Sequence, residues 1–179
     1  MDGLTILLLF IITSSIIGII FAIYYNNFQR CLVKINEVDS KIDISLRERF
    51  DLLCKAADFI KAQIDEEVML DLEKLKDLNL SSFDFERKLI PITIEFYNLK
   101  ASNKKLVKLI DFTNIDFSLR ENEAQLNAFV SYYNDNIARF NKMVRVFPSN
   151  VVAKIFRFRE KNYYDGKDLN DEDINDFKL

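Results

Sequence analysis

The sequence predicts an all-α protein, in which one N-terminal transmembrane helix continues into an antiparallel up-and-down bundle of long, coiled-coil-like helices. Three observations predict it. Residues 3–29 carry no charge. Beyond them, apolar residues recur at spacings of three and four through two long stretches. Only 3 Gly and 2 Pro punctuate 179 residues, too few for a turn-rich β fold or a Gly-rich phosphate loop. No long segment alternates apolar and polar residues, so no sheet is assigned.

The first element is the apolar run 4–25, broken only by small or mildly polar Thr5, Thr13, Ser14, Ser15 and Gly18. At 1.5 Å per residue it reaches about 33 Å, enough for a hydrocarbon core of about 30 Å. Leu4, Leu8, Ile12, Ile16 and Ile20 form its body, and Tyr24 and Tyr25 stand where interfacial aromatics belong. A cleaved signal would need a basic start, a shorter apolar core and a small-residue cleavage site. The chain offers Met1-Asp2-Gly3 before the run and Tyr24-Tyr25-Asn26-Asn27 after it. A lipoprotein would need small residues before Cys31, which follows Phe28-Gln29-Arg30. Residues 1–25 are therefore expected to be the N-terminal segment and an uncleaved anchor. Arg30, Lys34 and Lys41 follow the span and only Asp2 precedes it. The positive-inside rule then places the short N-terminus outside and the body in the cytoplasm of a single-pass cell-membrane protein.

Residues 26–164 read as one helical body. Phe28, Leu32, Ile35, Val38, Ile42, Leu46, Phe50, Leu53, Ala57, Ile60 and Ile64 form one stripe, and no Gly or Pro separates it from the anchor. Met69, Leu72, Leu75 and Leu78 keep helical spacing through a more charged stretch with an expected break near 79–82. A second apolar helix, about 83–99, contains Pro91, which predicts a kink or split near 89–91. After a turn at 100–103, with Ser102 or Asn103 as N-cap, a helix is expected from Lys104 to Phe147. Its seam is Phe112, Ile115, Leu119, Asn122, Leu126, Val130, Tyr133, Ile137, Phe140, Val144 and Phe147, a heptad pattern with one polar member. Asn122 either fixes register in a polar layer or marks a partly exposed turn. Pro148 stops the helix, Ser149 caps a short helix over 150–156, and the acidic tail 165–179 is expected to be disordered.

The composition excludes several chemistries. The chain has no His, so Ser-His-Asp catalysis, Cys-His catalysis and His-ligated zinc have no residues to use. Cys31 and Cys54 stand apart and suggest neither a disulfide scaffold nor a metal knuckle. Glu66 and Glu67, Glu86 and Glu95, and Glu121 and Glu123 read as solvated helix faces, without the Glu-x-x-His pairs of a di-iron bundle. A formal net charge of -3 gives nucleic acid no electrostatic case. No enzyme activity and no cofactor are expected.

The remaining candidate site is the run Phe156-Arg157-Phe158-Arg159-Glu160-Lys161-Asn162-Tyr163-Tyr164, where basic and aromatic residues interleave. It suits a membrane surface, a partner, or a lid over the bundle end. A simple up-down-up path decides between them at this stage. The cytoplasmic part of the first helix is about 58 Å long, the second helix returns, and a third of about 66 Å runs away again. Residues 156–164 then lie at the distal tip, where Val152, Ile155 and Phe156 cover the bundle end. Arg157, Arg159 and Lys161 are left as the candidate docking residues for an acidic partner.

Several of these stretches have a familiar form. Tyr25-Asn26 follows the anchor, and Ile42-Asp43-Ile44-Ser45-Leu46-Arg47-Glu48-Arg49-Phe50-Asp51-Leu52 is similar to a "DIDVQLKRRYDL" stretch. Tyr97-Asn98-Leu99-Lys100-Ala101 is similar to a "YPDLKA" turn, and Glu121-Asn122-Glu123 follows. Tyr133-Asn134, Phe140-Asn141, Phe147-Pro148-Ser149-Asn150 and the Phe158, Glu160-Lys161, Tyr163-Tyr164 ending complete the pattern. On these residues, over about 25–164, the chain resembles the LemA family of bacterial membrane-anchored proteins. It departs from the family at the missing Trp, at Leu52-Leu53-Cys54-Lys55-Ala56-Ala57, at Lys61-Ala62-Gln63-Ile64-Asp65-Glu66 and at Asn98. The resemblance implies a single N-terminal span, a helical cytoplasmic body and no catalytic residues. The function expected is that of a non-enzymatic membrane-anchored interaction or scaffold protein, bound to the bilayer and to a protein partner or to itself. The alternatives are a regulatory subunit of a membrane enzyme, such as an envelope protease, and a self-assembling membrane-organising bundle.

Overall fold

The computed structural model describes residues 2–64, 67–76 and 80–164. These form five α-helices: α1 (Gly3–Ile64), α2 (Asp71–Leu75), α3 (Ser82–Ser102), α4 (Ile110–Arg145) and α5 (Ser149–Phe156), with a 3₁₀ turn at Leu106–Lys108. No strand occurs among the described residues. The all-α expectation holds, with a long apolar helix leading into a bundle. α1 is 62 residues long and unbroken, as the absence of Gly and Pro after Gly18 requires. It is long and apolar enough to be a candidate membrane span, and none of its most apolar 18-residue window is buried in the protein. The acidic tail lies outside the described residues, as do Glu66 and Leu78.

The chain packs as two compact units. One comprises residues 2–37 with Tyr133–Tyr163; the other comprises Val38–Tyr132 with Tyr164. In the first, Phe28 packs edge-on against Phe140 (centroids 5.5 Å apart), and the Cys31 thiol donates to the Asn136 carbonyl at 3.4 Å. As numbering rises along α1 it falls along α4, so the two are antiparallel.

In the second unit the same rule holds between Ser45 and Asn122 and between Phe59 and Phe112. α3 behaves differently. Phe85 lies 5.9 Å from Phe50 and Phe96 lies 5.4 Å from Phe112, so α3 runs in the same direction as α1. The chain therefore reverses before α3, and the expected alternation of second and third helices is corrected.

Where a longer helix through 65–82 is expected, the described residues hold the five-residue α2. Met69 turns the chain with φ of 54°. Its N–H donates to the Glu95 carboxylate at 2.8 Å and its side chain is buried, which offsets a conformation costly for a non-Gly residue. Met69, Leu72 and Leu75 are buried, as their spacing predicted.

Ser81 caps α3, its hydroxyl accepting from the Asp84 N–H at 3.2 Å. Of the kink or split expected near 89–91, the split does not occur, and α3 continues through Pro91 to Ser102. Pro91 and Arg87 lie on the exposed face, where water can meet the carbonyl that proline leaves without a donor. α4 begins at Ile110 rather than Lys104, because the 3₁₀ turn buries Leu106 and Leu109 is extended with ψ of 126°. It ends at Arg145, so the seam stops short of Phe147, which is 77% exposed.

Candidate functional site

In the first unit the end of the apolar run, the α4–α5 corner and the chain after α5 come together. α4 leads through a cis Phe147–Pro148 peptide into α5. Ser149 is the first residue of that helix rather than its cap. Its hydroxyl donates back to the Val146 carbonyl at 2.8 Å. α5 buries Val152 and Ala153 beside Phe28, Cys31, Ile35, Ile137 and Phe140, and Phe21, Tyr24 and Tyr25 pack against that cluster. Arg157 closes α5 in the left-handed region (φ 58°), its N–H donating to the Ala153 and Lys154 carbonyls.

The chain after α5 is an aromatic strap. Phe158 stacks on Phe28 at 4.6 Å, and Phe156 approaches Tyr25 at 4.6 Å. Asn141 holds the strap at two points. Its Nδ2 donates to the Lys161 carbonyl at 2.8 Å, and its Oδ1 accepts the Lys161 N–H at 2.9 Å. Arg145 and Glu160 form a two-point ion pair beside it. The guanidinium holds the Glu160 carboxyl below the usual carboxylate range. The residues shared with the family pattern at Phe140-Asn141 and at the Phe158–Tyr164 ending thus meet in space.

This placement corrects the distal-tip geometry. Because α4 returns along α1, Phe156 sits beside Tyr25, at the end of the candidate span. Val152 is buried as expected, whereas Ile155 is 58% exposed and caps nothing. Arg157, Arg159 and Lys161 are exposed, also as expected, but they belong to the segment whose Phe156 and Phe158 lie against Tyr25, at the end of the candidate span. Leu4, Leu8, Ile12, Ile16 and Ile20 are all exposed, and Tyr24 and Tyr25 are half-buried.

The second unit holds a buried polar layer. Asn122 is buried, and its Nδ2 donates to the Ser45 carbonyl at 2.9 Å, to Ser45 Oγ at 3.1 Å and to the Glu48 carboxylate at 3.4 Å. Buried Arg49 donates through Nε to Asn122 Oδ1 at 3.3 Å. Of the two readings left open for Asn122, the polar layer is the one found. Buried Tyr164 lies near this charge, its hydroxyl pKa pushed well up, first by burial and then by the Glu86 carboxylate. Arg49 and Asn141 were not among the sequence candidates. Arg49 continues the three-and-four spacing of Cys31, Ile35, Val38, Ile42 and Ser45, a signal hidden because two members are polar.

No cluster of His, Cys, Asp and Glu suited to a metal ion occurs among the described residues. Among the carboxylates singled out in the sequence, Glu67 pairs with Lys61, Glu95 accepts the Met69 N–H, and Glu123 accepts from the Tyr97 hydroxyl. Burial pushes both thiols up, Cys31 against the pull of Lys34 and Arg139, and Cys54 against that of Lys76.

No curated protein and no solved structure matches the chain. A family profile described as the LemA family matches residues 85–175, just over half of its length. That match takes in nearly all of α3, the whole of α4 and α5, and the strap with its Asn141 clamp. It leaves out the first-helix stretch where most of the departures from the family pattern lie, and it includes the departure at Asn98. With the profile and the assembled motif residues agreeing, the chain belongs to the LemA family.

Proposed function

We propose that the chain is a non-enzymatic, single-pass membrane-anchored scaffold, with its short N-terminus outside and its helical body held at the cytoplasmic face for other proteins to dock on. The observation that carries this reading is the continuity of α1. One helix runs from an uncovered apolar segment into the packed body without a break, which tethers the body at a fixed distance from the bilayer. The exposed Lys154, Arg157, Arg159 and Lys161, on the segment whose Phe156 and Phe158 meet Tyr25, support the same orientation together with Arg30 and Lys34. The lack of any His removes the commonest general base from the chain.

The test is crosslinking in native membranes, followed by detergent extraction, affinity capture and mass spectrometry. Recovery of a distinct protein at a reproducible ratio supports the scaffold. A membrane protease at fixed ratio, with activity altered by deleting this chain, supports the regulatory-subunit reading instead. Larger assemblies of this chain alone support self-assembly. A monomer crosslinked to nothing overturns all three.

A further inference from the structure

We propose that α5 and the turn before it lie in the interfacial layer of the membrane that α1 enters, with Phe147, Val151 and Ile155 at the acyl boundary and the neighbouring cations on anionic phospholipid headgroups. This rests on the single-span reading and adds a second, peripheral membrane contact to it. Depth is the first argument. The apolar run 4–25 spans only about 3 Å more than a typical hydrocarbon core. Its last turn is nevertheless covered, since Phe21, Tyr24 and Tyr25 pack on the cluster that contains Val152 and Ala153. α5 is therefore beside the end of the span rather than beyond it.

The second argument is the face that α5 leaves uncovered. Val152 and Ala153 point inward. Val151 and Ile155, four residues apart, share the opposite face, and Phe147 stands in the turn just before the helix. All three are exposed, Phe147 and Ile155 strongly so. Such a stripe is costly in water and stable at an acyl boundary.

Charge is the third. Residues 154–161 carry Lys154, Arg157, Arg159 and Lys161 against one carboxylate, Glu160, already paired with Arg145. In a chain of net charge -3, this cationic cluster stands where headgroup phosphates would be. Its long side chains can snorkel to them while the apolar stripe stays buried.

The chain has no Trp, so single Trp reporters can measure depth in the full-length protein. The protein is reconstituted into vesicles of phosphatidylcholine with about one-third phosphatidylglycerol. Bromines are carried either near the headgroup end or near the tail end of the acyl chains. The Phe10→Trp reporter, in the anchor, is expected to be quenched most by the tail-end bromines. The Ile155→Trp reporter is expected to lose about half its emission or more with headgroup-end bromines and less with tail-end ones. Arg157→Glu with Arg159→Glu should cut that quenching by about twofold in the anionic vesicles and leave it unchanged in pure phosphatidylcholine. Val151→Trp repeats the measurement at an independent position, and far-ultraviolet circular dichroism checks folding. Quenching at Phe10→Trp but none at either α5 reporter overturns the interfacial contact and leaves the span standing. If protection of the α5 reporters instead rises with protein density, the stripe is a contact between copies. No quenching at Phe10→Trp means that the span itself has failed. An unchanged signal in the charge-reversed protein overturns the role given to the cations.

Discussion

Asn122 joins α1 and α4 through side-chain chemistry that no apolar residue can replace alone. Its oxygen accepts from a buried guanidinium, and its nitrogen serves Ser45 and Glu48. Removing one member of such a layer strands the others, whereas removing donor and acceptor together can be nearly neutral. Asn122→Ala is therefore expected to cost about 3 kcal/mol, because it leaves Arg49 buried without that acceptor. Asn122→Leu combined with Arg49→Met should recover most of the loss. Denaturant midpoints of the full-length chain in mild detergent measure both. A loss in the single variant below about 0.5 kcal/mol would show that the layer fixes nothing. The reason Asn122 was legible in the sequence and Arg49 was not lies here. Asn122 interrupts an otherwise perfect apolar seam. Arg49 sits next to Phe50, and a search for apolar spacing steps from Leu46 to Phe50, which is only half-buried, whereas beside buried Leu46 the polar Ser45 and Arg49 are buried as well.

At the scale of elements, the helices themselves were legible and their directions were not. Three-and-four spacing identifies a buried face whatever the neighbour's direction, so the stripes of α1 and α4 emerge from the sequence alone. Direction depends on how far a connection carries the chain. The 17 residues between Ile64 and Ser82 can reach on the order of 55 Å when extended. Returning from Ile64 to the level of Phe50 needs only about 21 Å of helix length. The turn at Met69 and its bond to Glu95 take that option. That choice sends α3 along α1 and brings α4 back. Within the first unit the α1–α4 contact centres on Phe140, which is fully buried and packed against Phe28 and Phe158. Phe140→Ala should cost about 3–5 kcal/mol, the range for a buried aromatic whose site cannot collapse. Phe117→Ala, at an exposed position of the same helix, should stay within about 0.5 kcal/mol. Equal midpoints for the two variants would remove the packed seam as the source of stability.

For the molecule as a whole, the question is which solvent each part of its surface meets. Leu4, Ile6, Leu7, Leu8, Leu9, Phe10, Ile11 and Ile12 are all exposed, as are Ile16, Ile17, Ile19, Ile20 and Ile23. At about 1.5–3 kcal/mol per large apolar side chain, leaving such a run in water would cost tens of kcal/mol, far more than a domain's net stability. A bilayer removes the cost, and α1 satisfies its own backbone groups there. Thr13 and Ser15 return their hydroxyls to carbonyls one turn back, so these two polar members of the run arrive paired. The intact chain is therefore expected to stay in the membrane fraction through an alkaline carbonate wash. Ile12→Arg with Ile16→Arg should weaken that retention, since each charge near a span's centre costs about 3 kcal/mol on insertion. If the cations of 30–41 lie on the inner side, as proposed, protease added to intact cells should spare the Tyr133–Phe147 stretch and reach it only after lysis. Release by carbonate, or a mature chain beginning near Asn26, would show that the run is not an anchor. Cleavage in intact cells would leave the anchor in place and turn the body to the other face.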